Sequence, residues 1–289
     1  MLTSDKKIIK KAHTNGYAIA QINVHNLEWI KAVLETAKEL KSPIIIGVSE
    51  NAAKYMGDLR TVAKLVYELD RFYNTSVPII LHLDHGSFDG IQTALSVGFN
   101  SVMFNGSRYD FEENLAKTKE IVNICHQKNV LVEAELGIIG GTEDSTIIKK
   151  GEKAKPEECQ KFLDINIDLL SAGIGNFHGP NPKKWEGLDF NVIQDIRKST
   201  DNRLPLVLHG GSEIPSWMIR KAISLGIVKI NVNTEFQIVF AKAIRKYIEM
   251  KKDLQKQGFV PQKLLTSGFL AIKNLIKKKI TLFGSINKA

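Results

Sequence analysis

The sequence of 289 residues predicts an α/β fold, a single (β/α)8 TIM barrel with a C-terminal helical extension. Three observations carry that expectation. Short apolar runs alternate with longer amphipathic ones, in eight strand-then-helix units without a long linker. Polar and glycine residues gather at the carboxyl ends of the apolar runs, where a parallel barrel collects its loops into one mouth. No G-x-G-x-x-G follows the first run, which weighs against the runner-up, a doubly wound dinucleotide fold.

The first unit is a strand over 17–23 and an amphipathic helix over 27–40. Pro43 opens the second strand, over 43–49, and a helix follows over 59–73. The third strand, over 78–84, lies in the stretch PIILHLDHGS (78–87), entered at Val77-Pro78 and broken by Gly86-Ser87. By the period of two, His82 and Asp84 share one of its faces, and His85 stands where the strand ends. A histidine and a carboxylate at the mouth of a buried strand are costly unless paired or bound to metal. A short helix then covers 91–97, a strand 101–105 and a helix 111–127. The fifth strand, over 130–136, leads into a glycine-rich loop over 137–151 and a helix from Pro156. The sixth strand spans 167–174, a loop passes through His178, and a helix covers 190–199. The seventh unit pairs a strand over 206–209 with a helix over 215–225; the eighth pairs 228–232 with 235–251. From Pro261 a loop leads to a basic helix over 271–279. Nothing marks a boundary, so residues 1–289 read as one domain.

Composition narrows the function. The chain is 43% hydrophobic and 25% charged, an ordinary globular balance. Residues 1–11 are charged and lack the apolar core of a signal peptide, and no apolar run approaches a membrane span. Cys125 and Cys159 lack metal-motif spacing, which fits a reduced, cytoplasmic protein. The net charge of +9 is mostly lysine scattered over helix faces, without the aromatic clustering of a nucleic-acid surface. Such a field favours anionic, phosphorylated small molecules.

At the strand ends stand Asn23, Ser49, Asp84, His85, Asn105, Glu135, His178, His209, Asn231 and Asn233. His85, His178 and His209 end or follow the third, sixth and seventh strands; three imidazoles that leave a fourth position open suit a catalytic zinc. Gly210, Gly211 and Ser212 after the seventh strand, and Asn231, Asn233 and Thr234 after the eighth, suit a phosphate. Thr234 is the candidate helix cap there, aiming N–H groups at the anion. The loop ELGIIGGTED carries Gly137, Gly140 and Gly141 before Glu143 and Asp144, as a mobile lid bearing a carboxylate would.

The stretches HLDHGS, EAELGIIGGTED, GIGNFHG, LVLHGGS and INVNTE together resemble the class II fructose-bisphosphate aldolases, in the shorter class IIB, mycoplasma-like form. The match runs from YAIAQINVHNLEW to FGSINKA. The resemblance implies a zinc-dependent barrel enzyme, a homodimer or homotetramer. Such an enzyme reversibly cleaves fructose 1,6-bisphosphate into dihydroxyacetone phosphate and glyceraldehyde 3-phosphate. It implies one catalytic zinc per chain on His85, His178 and His209, with Asp84 as acid/base at the C4 hydroxyl. Glu143 would move the proton on the dihydroxyacetone phosphate carbon. Gly179, Gly210, Gly211, Ser212, Asn231, Asn233 and Thr234 would hold that product and its phosphate; Asn23 and Ser49 would line the pocket. Glu135 would lie near a second, inner metal position, and a monovalent cation is a further expectation.

The chain departs from the family pattern at three places. Asn105 stands where relatives carry an aspartate of the inner metal position, which removes a carboxylate from it. Glu213 replaces a glycine, and Val260-Pro261-Gln262 replaces Asp-Pro-Arg, whose arginine reaches the distal phosphate across a subunit interface. The alternatives are a sister aldolase acting on tagatose 1,6-bisphosphate or 6-phospho-5-dehydro-2-deoxygluconate, and a diverged sugar-phosphate-binding paralogue. A Schiff-base aldolase using Lys229 needs no histidine triad.

Overall fold

A computed structural model describes every residue except Met1, Ser4, Asp144, Ser145 and Lys149; Glu143, Thr146 and Ile147 are described by their backbone alone. The strands, in chain order, are β1 (Ile19–Asn23), β2 (Ile44–Val48), β3 (Ile79–Gly86), β4 (Ser101–Phe104) and β5 (Leu131–Leu136), then β6 (Gly140–Glu143), β7 (Thr146–Ile148), β8 (Leu169–Ala172), β9 (Phe177–His178), β10 (Leu206–Leu208) and β11 (Ile227–Val232). Eight of them close a parallel barrel in the order β1-β11-β10-β8-β5-β4-β3-β2, the expected TIM architecture. The other three form a small sheet in the order β7-β6-β9.

The helices are α1 (Lys6–Asn15), α2 (Leu27–Glu39), α3 (Glu50–Met56), α4 (Leu59–Tyr73), α5 (Phe88–Val97), α6 (Phe111–His126), α7 (Pro156–Asp164), α8 (Phe190–Ser199), α9 (Ser216–Ser224), α10 (Thr234–Glu249) and α11 (Pro261–Phe283). Their starts follow from short polar caps: Asn26, Asp58, Ser87 and Asp110 each accept from a backbone N–H three residues on. None of the described residues lies in a helix long and apolar enough to cross a membrane.

Apolar side chains of the strands divide between two clusters. One lies between barrel and helices. The other, Ile19, Ile45, Ile80, Leu131, Leu169, Val207 and Val228, fills the barrel floor beneath Ile9 and Ala12 of α1. That helix was not expected. Only Ile9 and Ala12 of its ten residues are buried, and the run is short and dominated by lysine.

Four other differences concern position. α3 follows β2 directly, started by Ser49, whose Oγ accepts from the Ala52 N–H at 3.2 Å. α5 begins at Phe88, three residues before the expected start, because Ser87 caps it. The expected sixth strand is the shorter β8, and His178 lies beyond it on β9. The tail is one helix from Pro261, seated closely enough that Gly268 meets the Phe240 ring of α10. Lys273 and Lys277 of that helix pair with Glu35 and Glu39 of α2, and Lys279 with Glu235 of α10.

Candidate active site

The carboxyl ends of the strands enclose a cavity of about 220 Å³ lined by Asn23, Ser49, Asp84, His85, His178, Gly179, His209, Gly210, Ser212, Asn231, Asn233 and Thr234. Each of these is a residue singled out from the sequence. His25, Thr142 and Gln237 complete the wall and were not.

Successive residues of a regular strand face opposite sides, yet Asp84 and His85 share the mouth. The cause is local: His85 adopts φ +51°, and the β3–β4 register shifts between Leu83 and Gly86. This bulge re-aims His85 inward beside Asp84. Asp84 accepts from Asn23 Nδ2 at 2.8 Å and from Asn231 Nδ2 at 3.2 Å. Burial pushes its acidity one way, toward the neutral acid. His85, His209, Lys229 and His82 together outweigh this and hold the carboxyl well below its usual range.

Potential ligand atoms of His85, His178 and His209 lie within 4.8 Å of one another. Ring centroids are 5.1 Å apart for His85 and His178, 4.7 Å for His85 and His209, and 5.5 Å for His178 and His209. Three imidazoles converging on one wall of an open cavity make a donor set suited to a divalent cation of the zinc type. Two ties hold the loops that carry them. Asn176 Nδ2 donates to the His209 carbonyl at 3.0 Å, and β6 pairs with β9 so that Gly141 faces His178. A side chain at Gly141 would strike the His178 carbonyl, so the approach needs glycine.

Glu135 is buried outside the cavity lining, with Oε2 at 3.9 Å from His85 Nδ1. Asn105 also stands outside that lining, and its Oδ1, the atom a metal would need, accepts from Ser107 Oγ at 2.9 Å. The side chain of Glu143 and all of Asp144 lie outside the described residues.

In the loop expected to hold a phosphate, Gly210 packs against the Phe177 carbonyl, and Gly211 donates its N–H to the Asn231 carbonyl at 2.8 Å. Gly211 therefore supports the wall from behind. The cap of α10 is Asn233, and Thr234 is the first helical residue. Asn233 has no side-chain bond to its own helix; its Oδ1 is 2.9 Å from His25 Nε2. Ser212 Oγ instead accepts the Glu235 N–H at 3.2 Å, so a loop residue completes that first turn.

Below the mouth lies a layer of buried polar groups; the sequence names His82 and Lys229 without joining them, and Glu133 not at all. Lys229, proposed as a Schiff-base amine, is fully buried, absent from the cavity wall and paired with Glu133 Oε2 at 2.5 Å. Glu133 Oε1 is 2.9 Å from His209 Nε2, and His82 Nδ1 is 2.7 Å from Ser101 Oγ. The signal for these groups was the period of two. His82, Glu133 and Lys229 each precede Asp84, Glu135 and Asn231 by two positions and share their faces.

Comparison with known proteins agrees with this arrangement. Residues 3–288 match the family model described as fructose-bisphosphate aldolase class-II. The chain is 50% identical to a fructose-bisphosphate aldolase of Mycoplasma genitalium and 47% identical to one of Mycoplasma pneumoniae, each over the full length of both chains. Among solved structures it is similar to the YdjI aldolase of Escherichia coli, with a TM-score of 0.84 and 32% identity over all of both chains.

Proposed function

Because this chain belongs to the class II fructose-bisphosphate aldolase family, we propose that it reversibly cleaves fructose 1,6-bisphosphate into dihydroxyacetone phosphate and glyceraldehyde 3-phosphate, using one zinc ion held by His85, His178 and His209. The convergence of those three imidazoles beside Asp84 in one cavity carries this reading. The metal supplies Lewis-acid stabilisation of charge developing on a substrate oxygen.

The remaining steps fall to the chain's own groups. Asp84, held ionised and oriented by Asn23 and Asn231, takes the C4 hydroxyl proton as the C3–C4 bond breaks. Glu143 returns a proton to the terminal carbon of the dihydroxyacetone phosphate half. Gly179, Gly210, Ser212, Asn233 and Thr234 surround the phosphate of that half, with the α10 N-terminus directed at it. Asn105 leaves the inner metal position without its usual carboxylate, so Glu135 serves as a neighbour of His85 and a second metal is not retained. Residues 1–289 work as one domain, in a cytoplasmic homo-oligomer of glycolysis.

The test is cleavage of a panel of phosphorylated ketoses by purified protein before and after chelation. Fructose 1,6-bisphosphate should be cleaved, cleavage should fall to background with a chelator, and added zinc should restore it. Preferential cleavage of tagatose 1,6-bisphosphate or a phosphorylated deoxy-ketogluconate would move the chain to a sister activity. Activity that survives chelation would exclude the metal.

A further inference from the structure

We propose that Glu133, held by Lys229, is a positioning residue that fixes the His209 ring so that Nδ1 faces the metal. This rests on the reading of His85, His178 and His209 as the metal site. Glu133 and Lys229 are both fully buried inside the barrel. A buried ion pair is poor support for stability, since apolar side chains of similar volume often serve as well or better. Its retention beneath a mouth therefore asks what else the carboxylate does.

Its two oxygens have different partners. Oε2 takes the Lys229 ammonium at 2.5 Å, and Oε1 faces His209 Nε2 at 2.9 Å. An ammonium only donates and a carboxylate only accepts. The proton between Glu133 and His209 therefore sits on Nε2, which leaves the lone pair on Nδ1. The competing arrangement has Asn231 Nδ2, at 3.1 Å, donating to a bare Nε2. It would set two lone pairs against each other at the Glu133 contact. The amide has two N–H groups, one of them given to Asp84 at 3.2 Å, and the same nitrogen lies 3.5 Å from His209 Nδ1, where it can face the lone pair. Bonds to ionised acceptors are roughly twice as strong as neutral ones, so Glu133 keeps its donor. Lys229 is itself located by a contact to His82 Nε2 at 3.5 Å.

Metal-binding histidines are oriented by carboxylates behind them, and losing such a partner typically weakens metal binding by about 10–100-fold. Lys229→Met alone would leave a bare buried charge, so the informative variant is Glu133→Leu/Lys229→Met, an apolar replacement of the pair. With Co²⁺ as the probe, we expect this variant to melt cooperatively and to bind about 10–100-fold more weakly, with shifted d–d bands. Glu133→Gln/Lys229→Met, which keeps an acceptor oxygen, should recover most of that affinity. Native affinity and a native cobalt spectrum in the Leu/Met variant would overturn the proposal. His85→Ala is the control: if it also binds Co²⁺ normally, the metal site itself has been misread. One further measurement needs no core substitution. In metal-free, ¹⁵N-histidine-labelled protein, the His209 signal, assigned by its loss in His209→Asn, should show Nε2 protonated. A proton on Nδ1 would contradict the mechanism whether or not the variants fold.

Discussion

Asp84 is a buried carboxylate held below the usual carboxylate range and oriented by two amides, so its side chain is ready to accept a proton without a conformational change. In the role of general base proposed for it, such a group is typically worth about 10²–10⁴-fold in rate. Asp84→Ala should lower kcat for carbon–carbon cleavage by that order while metal content stays at the wild-type level. Concurrent metal loss would assign Asp84 to ligation. Glu213 shows a different constraint. It lies at φ +58°, where a side chain costs roughly 1–2 kcal/mol that glycine avoids. This accounts physically for the glycine expected there in relatives. Its exposed side chain leaves the backbone N–H to donate to Glu235 Oε2 at 3.3 Å, a bond glycine preserves. Glycine adds some unfolded-chain entropy, so Glu213→Gly should raise stability by only about 0.5–1 kcal/mol. The urea midpoint measures this; a lowered midpoint would mean that the Glu213 side chain contributes contacts of its own.

At the scale of elements, β3 holds charge and pH dependence together. Burial, then the Lys229 charge, pushes His82 down to about 3, whereas an unfolded histidine titrates near 6.5. Below about pH 6.5 the unfolded chain binds a proton that the fold excludes, so stability falls with pH by up to about 1.4 kcal/mol per unit. Asp84 is displaced in the same direction, downward from the ordinary carboxylate range, so its contribution is lost only below about pH 4. The interval between about pH 6.5 and 4 thus separates His82 from Asp84. His82→Gln should flatten the decline in melting temperature there, measured without metal. An unchanged slope would mean that His82 protonates within the fold. The sequence showed β3 clearly but not its bulge: alternation places His85 on the outer face, and only the positive φ brings it inside. Helices with a polar cap and an apolar stripe were legible. α1 and α3, with two buried residues each, were not: one is a short run dominated by lysine and the other is a seven-residue helix, so neither carries enough apolar residues to stand out.

Across the whole molecule the barrel is layered, with an apolar floor, a charged middle and a polar mouth. The mouth was readable because loops after parallel strands converge by topology. The middle layer was not, since Glu133, Lys229 and His82 each have their meaning only in partners on strands far away in sequence. Thr142 and Gln237 were likewise invisible, because only the fold brings the loop and α10 to the same wall. The small sheet is spliced onto that wall through β9, with Gly140 opposite Phe177 and Gly141 opposite His178. Lifting the hairpin from the mouth must therefore break a ladder whose other rail carries His178, a proposed metal ligand. The amide protons along this seam become a gauge of occupancy. Hydrogen–deuterium exchange at Gly141 and Thr142 should slow when zinc is added, with no substrate present, and should lose that response in His178→Ala. Equal exchange with and without metal would show the hairpin to be mechanically independent of the centre it covers.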